Sequence, residues 1–184
     1  MDAKTISPTS QAPVTPPTIQ VILDTNIIKK IIDPFSVNEF SIYLRDIFNR
    51  NGTFVISDFT CFELLRGANL KSEAVAFPII NVVVRLFVST TVLYASARLE
   101  TLYKMEGIQP ESIDIGDKII GATALLNSAL VLTANGRDFP IPYFIEIERK
   151  IIEFKDKNKR TKCIPISLLK PDYEILVKRF NERT

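Results

Sequence analysis

The sequence predicts a single α/β domain, a three-layer α/β/α sandwich around a mainly parallel sheet. Three observations carry that expectation. Short runs rich in β-branched residues alternate with segments of helical periodicity over most of the chain. The first such run, Ile19 to Leu23, is apolar without strict alternation, as in a strand buried on both faces. The chain has 184 residues, 46% of them hydrophobic, which suits one domain with a substantial core.

Residues 1–18, MDAKTISPTSQAPVTPPT, are rich in Pro, Thr, Ser and Gln and read as a flexible tail. The single domain spans residues 19–184. After the first strand come Asp24, Thr25 and Asn26, then a short helix from Ile27 to Ile32 stopped by Asp33-Pro34. Ser36 to Arg50 has a second helical pattern, ended by Asn51-Gly52. Thr53 to Ser57 is a β-rich run. A helix from about Phe59 to Asn69 follows, with Phe59, Phe62 and Leu65 expected inward and Gly67 near its end.

Ser72 to Leu86 reads as a helix that Pro78 breaks or kinks, leading to a weak strand at Thr91-Val92-Leu93. Ala95 to Glu106 is helical and ends at Gly107. From Ser112 the periodicity predicts another helix, entered through Asp114 and Asp117, and a short strand from Ala129 to Leu132. Tyr143 to Phe154 fits helix or strand, because Ile145 and Ile147 alternate with Glu146 and Glu148. It and the β-like run Cys163 to Leu168 suit a hairpin joined by KDKNKRTK, and Pro171 to Arg183 reads as a terminal helix.

Composition removes several classes of function. The chain has no histidine, so Ser-His-Asp and Cys-His nucleophilic sites, histidine bases and most zinc sites are excluded. Its two cysteines, Cys61 and Cys163, lack metal-ligand spacing and read as small apolar residues of a reduced, cytoplasmic protein. No apolar run reaches the ~18 residues of a membrane span, and no secretory signal is apparent. There is no P-loop or GxGxxG pattern. A net charge of +2 neither requires nor excludes a nucleic-acid partner.

What remains is a set of carboxylates. In parallel α/β sheets ligands collect at the carboxyl ends of strands, and Asp24 follows the first strand while Thr133 to Asp138 follow the fourth. Asp117 sits in the first turn of a helix, and Glu63 shares a polar edge with Arg66 on FTCFELLRG. Converging acids without histidine suit hard divalent cations such as Mg²⁺ or Mn²⁺. Each acid also has a plainer role. Asp24 and Asp114 suit helix caps, Glu63 a solvated helix face, and Asp138 an ordinary turn.

Three segments together resemble the PIN-domain nucleases, and especially the VapC-like toxins of toxin–antitoxin pairs. They are VILDTNII at 21–28, ISDFTCFELLRG at 56–67 and DIGDKIIGATALLNSALVLTANGRDFP at 114–140, in the family's order. The resemblance implies a site of Asp24, Glu63, Asp117 and a fourth acid. Asp24 and Asp117 would hold Mg²⁺ or Mn²⁺ directly, and Glu63 directly or through water. The fourth position falls at Asn135 or at Asp138, with Asp138 preferred and Asn135 as its hydrogen-bonding partner. Thr25, Asn26 and Thr133 would orient the carboxylates, and Asp114 would cap its helix.

The implied reaction is metal-dependent hydrolysis of single-stranded RNA with water as nucleophile. Arg66, Lys118 and Arg137, beside the acids, are the expected RNA contacts, while the basic run from Lys155 to Lys162 suits a solvated loop. The implied partners are a small antitoxin and a second copy in a homodimer. Two other readings compete. One is a PIN fold that binds RNA or protein without catalysis, against which the full set of acids argues. The other is a phosphatase with Asp24 as nucleophile, against which Asn26 argues, since a second acid is expected there.

Overall fold

The computed structural model describes residues 18–66 and 68–182. The expected tail therefore lies almost wholly outside the described residues, as does Gly67. Strand β1 (Ile19–Leu23) is the centre of the parallel half of a six-stranded sheet. It pairs in parallel with β2 (Gly52–Ser57) on one side and β4 (Leu130–Thr133) on the other. Strand β3 (Val84–Leu86) extends the parallel set beyond β2. Strands β5 (Phe144–Lys155) and β6 (Thr161–Pro171) form an antiparallel hairpin, and β6 closes against β4. The order is β3-β2-β1-β4-β6-β5.

Alternation along β1 explains why the sheet is covered on both sides. Ile22 points into one core, with Leu99 and Leu102 of α5 (Thr90–Met105) and Ile119 and Ile120 of α6 (Ile115–Leu126). Val21 and Leu23 point into the other, with Ile27 and Ile28 of α1 (Thr25–Ile32), and Phe40 and Tyr43 of α2 (Val37–Asn49). Cys61 and Leu64 of α3 (Asp58–Leu65) and Ala76 and Ile80 of α4 (Leu70–Val82) complete that second layer. The C-terminal helix α7 (Tyr173–Asn181) adds Leu176 to the first core. This is the predicted α/β/α sandwich with a mostly parallel sheet.

Several local expectations are corrected. The third strand lies at Val84–Leu86, pairing Val55 with Val84, and not at Thr91-Val92-Leu93. Those three residues open α5, where the Ser89 hydroxyl accepts a hydrogen bond from the Val92 amide and starts the helix. Helix α4 runs through Pro78, and an Asn69–Ser72 capping box fixes its start. Helix α3 ends at Leu65 and buries Thr60, Cys61 and Leu64, while Phe62 is exposed. Cys163 is exposed as well, so only Cys61 behaves as a core residue. The region from Phe144 onward resolves to strand, and the expected hairpin forms.

Candidate active site

The carboxyl ends of β1, β2 and β4 converge, and each hands its chain to polar residues. Asp24 directly follows β1 and is only 2% exposed. Its carboxylate accepts hydrogen bonds from the Thr133 hydroxyl at 2.6 Å and the Asn26 side-chain amide at 2.5 Å. The Asn26 amide nitrogen also donates to Thr133 Oγ1 at 3.1 Å, and its oxygen accepts from the Ala134 backbone N–H at 2.9 Å. The Asn135 backbone N–H donates to Thr133 Oγ1 at 2.9 Å. Asn26 and Thr133 thus bolt the end of β1 to the end of β4, with the Asp24 carboxylate between them.

Glu63 arrives from α3. The hydrophobic face of that helix packs under the sheet edge, which leaves Glu63 half-buried on the side toward Thr25, whose hydroxyl donates to it. Asp117 arrives from the first turn of α6, whose entrance Asp114 caps by accepting from the Gly116 N–H at 2.9 Å. Asp138 stands in the turn Gly136–Asp138 after β4, and the Asn135 side-chain amide donates to it at 2.6 Å.

Electrostatics tie the four acids into one group. Burial, and then the charges of Asp24, Asp138, Glu63 and Asp114 in that order, hold the Asp117 carboxyl well above the usual carboxylate range. Asp138 is raised too, chiefly by burial, with hydrogen bonds from Asp117 and Asn135 opposing the shift. Burial pushes Asp24 up to about 6, against the pull of the Thr133 hydroxyl. These acids repel one another with no cation among them.

The set contains carboxylate, hydroxyl and amide oxygen donors and neither imidazole nor thiolate, which is the donor chemistry of Mg²⁺ and Mn²⁺. Among the described residues no three acids are arranged to enclose an ion as they stand. Asp24, Glu63 and Asp138 are each turned onto a neighbouring hydroxyl or amide instead. The donors fit a hard cation; their present orientation is that of a repelling, hydrogen-bonded set.

Of the expected cationic contacts, Arg66 and Arg137 are exposed. Lys118 is not: it is 5% exposed, and its ammonium lies 3.1 Å from Glu100 on α5. Its position one residue after Asp117 turns it a further 100° around the helix, away from the acids and against α5. A residue of the site that the motifs do not mark is Gly116. A Cβ there would stand 2.6 Å from the Phe59 ring and 3.0 Å from Glu63 Oε1. Its hydrogen is what lets the first turn of α6 approach α3, so that Asp117 meets Glu63. The visible signal is a glycine between two acids in the first turn of a helix, where glycine is otherwise unfavourable.

Residues 21–144 match the PIN domain family, which is two thirds of the chain and includes all four acids. None of the curated proteins matches the sequence. Among solved structures, VapBC2 from Rickettsia felis, bound to a DNA fragment from its promoter, superposes with a TM-score of 0.56 and 20% identity. That match covers 66% of this chain and 91% of the other. DNA-bound VapBC from Salmonella typhimurium gives a TM-score of 0.55 and 25% identity, covering 68% and 94%. A toxin–antitoxin complex from Klebsiella pneumoniae gives 0.53 and 25%, covering 66% and 92%. The chain belongs to the PIN domain family, and its structural neighbours are VapC-like.

Proposed function

We propose that this protein is a metal-dependent endoribonuclease that cleaves single-stranded RNA, and that it is the toxin of a toxin–antitoxin pair. The observation that carries the reading is the convergence of Asp24, Glu63, Asp117 and Asp138 at the carboxyl end of the parallel sheet, each raised or hydrogen-bonded in a cation-free cluster. A bound Mg²⁺ or Mn²⁺ would supply activation of water and neutralisation of charge on the phosphoryl oxygens. Asp24 and Asp117 would hold it directly, with Glu63 beside them and Asp138 as the fourth acid. Thr133, Asn26 and Thr25 hydrogen-bond the Asp24 and Glu63 carboxylates, which would turn from these partners toward a bound cation. Arg66 and Arg137 flank the acids as phosphate contacts.

Two further features support an antitoxin partner. The neighbour from Klebsiella pneumoniae is a toxin–antitoxin complex, and Phe62, Leu70, Phe77 and Val82 on α3 and α4 are exposed apolar side chains. A homodimer belongs to the same reading. No helix among the described residues is long and apolar enough to cross a membrane.

The test incubates the purified full-length protein with single-stranded RNA and Mn²⁺ or Mg²⁺, with and without EDTA, beside Asp24→Asn and Asp117→Asn. Metal-dependent cleavage lost in both variants is the expected result. Cleavage that survives both would place the chemistry elsewhere. RNA binding without cleavage would favour a non-catalytic PIN-fold binding module.

A further inference from the structure

Next to the turn that carries Asp138 lies a groove of about 760 Å³, from whose lining the nuclease reading uses Arg137 alone. Its near wall is Asn135, Gly136 and Arg137, the same turn that carries Asp138, and its far wall is the β5–β6 hairpin. That size falls in the ~300–1,000 Å³ range of pockets that seat an organic ligand. Almost the whole hairpin lies beyond residues 21–144, so this wall is an addition of the present chain to the matched part of the fold.

A register shift sets the chemistry of the far wall. Glu146 pairs with Leu169 and Glu148 with Leu168, which leaves Ile147 as the extra residue of a β-bulge. Strict alternation would place Glu146, Glu148 and Lys150 on one face. The bulge instead sends Glu148 to the opposite face, where it meets Tyr43 and Arg50. It brings Arg149, paired with Ser167, onto the groove face with Glu146. Ser167 donates a hydrogen bond to Glu146 and fixes that carboxylate. Arg137 and Arg149 are exposed, and among the described residues neither takes part in an ion pair. Pro140, Ile141 and Pro165 supply apolar surface to the same groove.

Resting on the nuclease reading, we propose that this groove seats a nucleotide of the RNA strand next to the cleaved phosphate. Arg137 and Arg149 contact its flanking phosphates, its base lies on the Pro140–Ile141 edge, and Glu146 accepts from an exocyclic amine of that base. Two cations set apart by an apolar floor suit a chain that alternates phosphate and base. A single fixed carboxylate acceptor selects bases that present an amine donor, as Glu does with cytosine N4. Continuity through Asn135, which both lines the groove and bonds Asp138, favours a strand that passes from groove to acids.

The test separates binding from cleavage. In full-length protein carrying Asp117→Asn, labelled single-stranded RNA of mixed sequence is titrated at several salt concentrations. Arg149→Ala is expected to weaken binding about tenfold and to lower the salt slope by about one. In active protein, Glu146→Gln is expected to redistribute the cut sites among bases, away from those that present an amine donor. Unchanged affinity, salt slope and cut sites in both variants, with cleavage still lost in Asp24→Asn, would overturn the groove and leave the nuclease reading standing. RNA held through Arg149 by a protein that never cleaves would keep the groove and sink the nuclease reading. If Arg149→Ala weakens only the binding of a co-expressed protein partner, the groove belongs to protein and the proposal falls.

Discussion

Glu148 and Asp117 are both carboxylates on the rims of the same sheet, and their surroundings drive them in opposite directions. Glu148, on the hairpin, accepts from the Arg50 guanidinium at 2.7 Å and the Tyr43 hydroxyl at 3.0 Å. The Arg50 hydrogen bond holds its carboxyl below the usual range. Asp117, at the end of the parallel half, is surrounded by acids and held far above it. The Glu148 arrangement is complete within the chain, for its cation is an arginine. Among the described residues no ion pair holds Asp117, and the nearest lysine in sequence, Lys118, is spent on Glu100. A fold that gathers four acids and turns the adjacent lysine away leaves its negative charge for something outside the chain to neutralise.

The contrast breaks most sharply at Asp117. Asp117→Asn removes the most strongly perturbed acid, and RNA cleavage in Mn²⁺ is expected to fall by about 10³-fold or more, on the scale of losing a principal electrostatic group. The same variant melts at a higher temperature than wild type in EDTA at pH 7.5, because folding no longer has to protonate a carboxyl that is ionised in the unfolded chain. A variant that is inactive and less stable would mean that Asp117 is held by contacts of structural value, and the contrast with Glu148 would dissolve.

A second measurement follows stability against pH in metal-free protein. Asp24, at about 6, binds its proton more tightly in the folded chain than unfolded, where the ordinary value is 3.8. Unfolding therefore releases protons between these values, and stability falls as pH rises through that window. Asp117, raised further, extends the fall toward neutral pH. From Asp24 alone the loss is about 2–3 kcal/mol between pH 4 and 7. Urea titrations in EDTA across this range read it, and millimolar Mn²⁺ is expected to restore stability at pH 7. A metal-free protein equally stable at pH 4.5 and 7 would show that the acids do not repel in the folded state.

Gly116 tests how the cluster is assembled. Gly116→Ala puts a methyl group into the Phe59 ring and against Glu63, and helix propensity alone would make the change favourable by up to ~1 kcal/mol. The expected outcome is a net loss of about 1–3 kcal/mol from overpacking together with a 10–100-fold drop in cleavage, as α6 is pushed from α3 and Asp117 from Glu63. A stabilised and fully active Gly116→Ala would show that the close approach of the two helices is dispensable.

These tests also mark what the sequence made legible. Strand β1 could be read because a five-residue run with four apolar side chains ends in Asp-Thr-Asn, and the hairpin because two β-rich runs flank a charged turn. The order of three motifs brought out Asp24, Glu63, Asp117 and Asp138, with Asp138 preferred over Asn135, and the charges of the other three acids act on Asp117. Strand β3 was hidden because three residues at a sheet edge carry no periodicity of their own, and only pairing with β2 makes them a strand. Lys118 was misplaced because adjacency in sequence is not adjacency on a helix. The bulge at Ile147 left no mark either: its effect lies in the pairing partner, which sets whether Arg149 or Glu148 faces the groove.

The smallest effect belongs to the side of the contrast that is already paired. Glu148→Gln removes the charge that Arg50 neutralises while keeping an oxygen for Tyr43. Arg50 is about half exposed and the pair is well solvated, so the cost is about 0.5–1 kcal/mol at pH 7 after screening. Because the Glu148 carboxyl is lowered, its contribution is present above the ordinary value of 4.5 and is lost as pH falls through the folded value. The gap in stability between wild type and Glu148→Gln should therefore close in acid, where the Asp24 effect favours the folded state. Cleavage is expected to stay unchanged, since Glu148 faces away from the acids across the sheet. A gap that widened in acid, or a loss of cleavage, would mean that Glu148 is coupled to the acid cluster through the hairpin, and that the two carboxylate settings are one system.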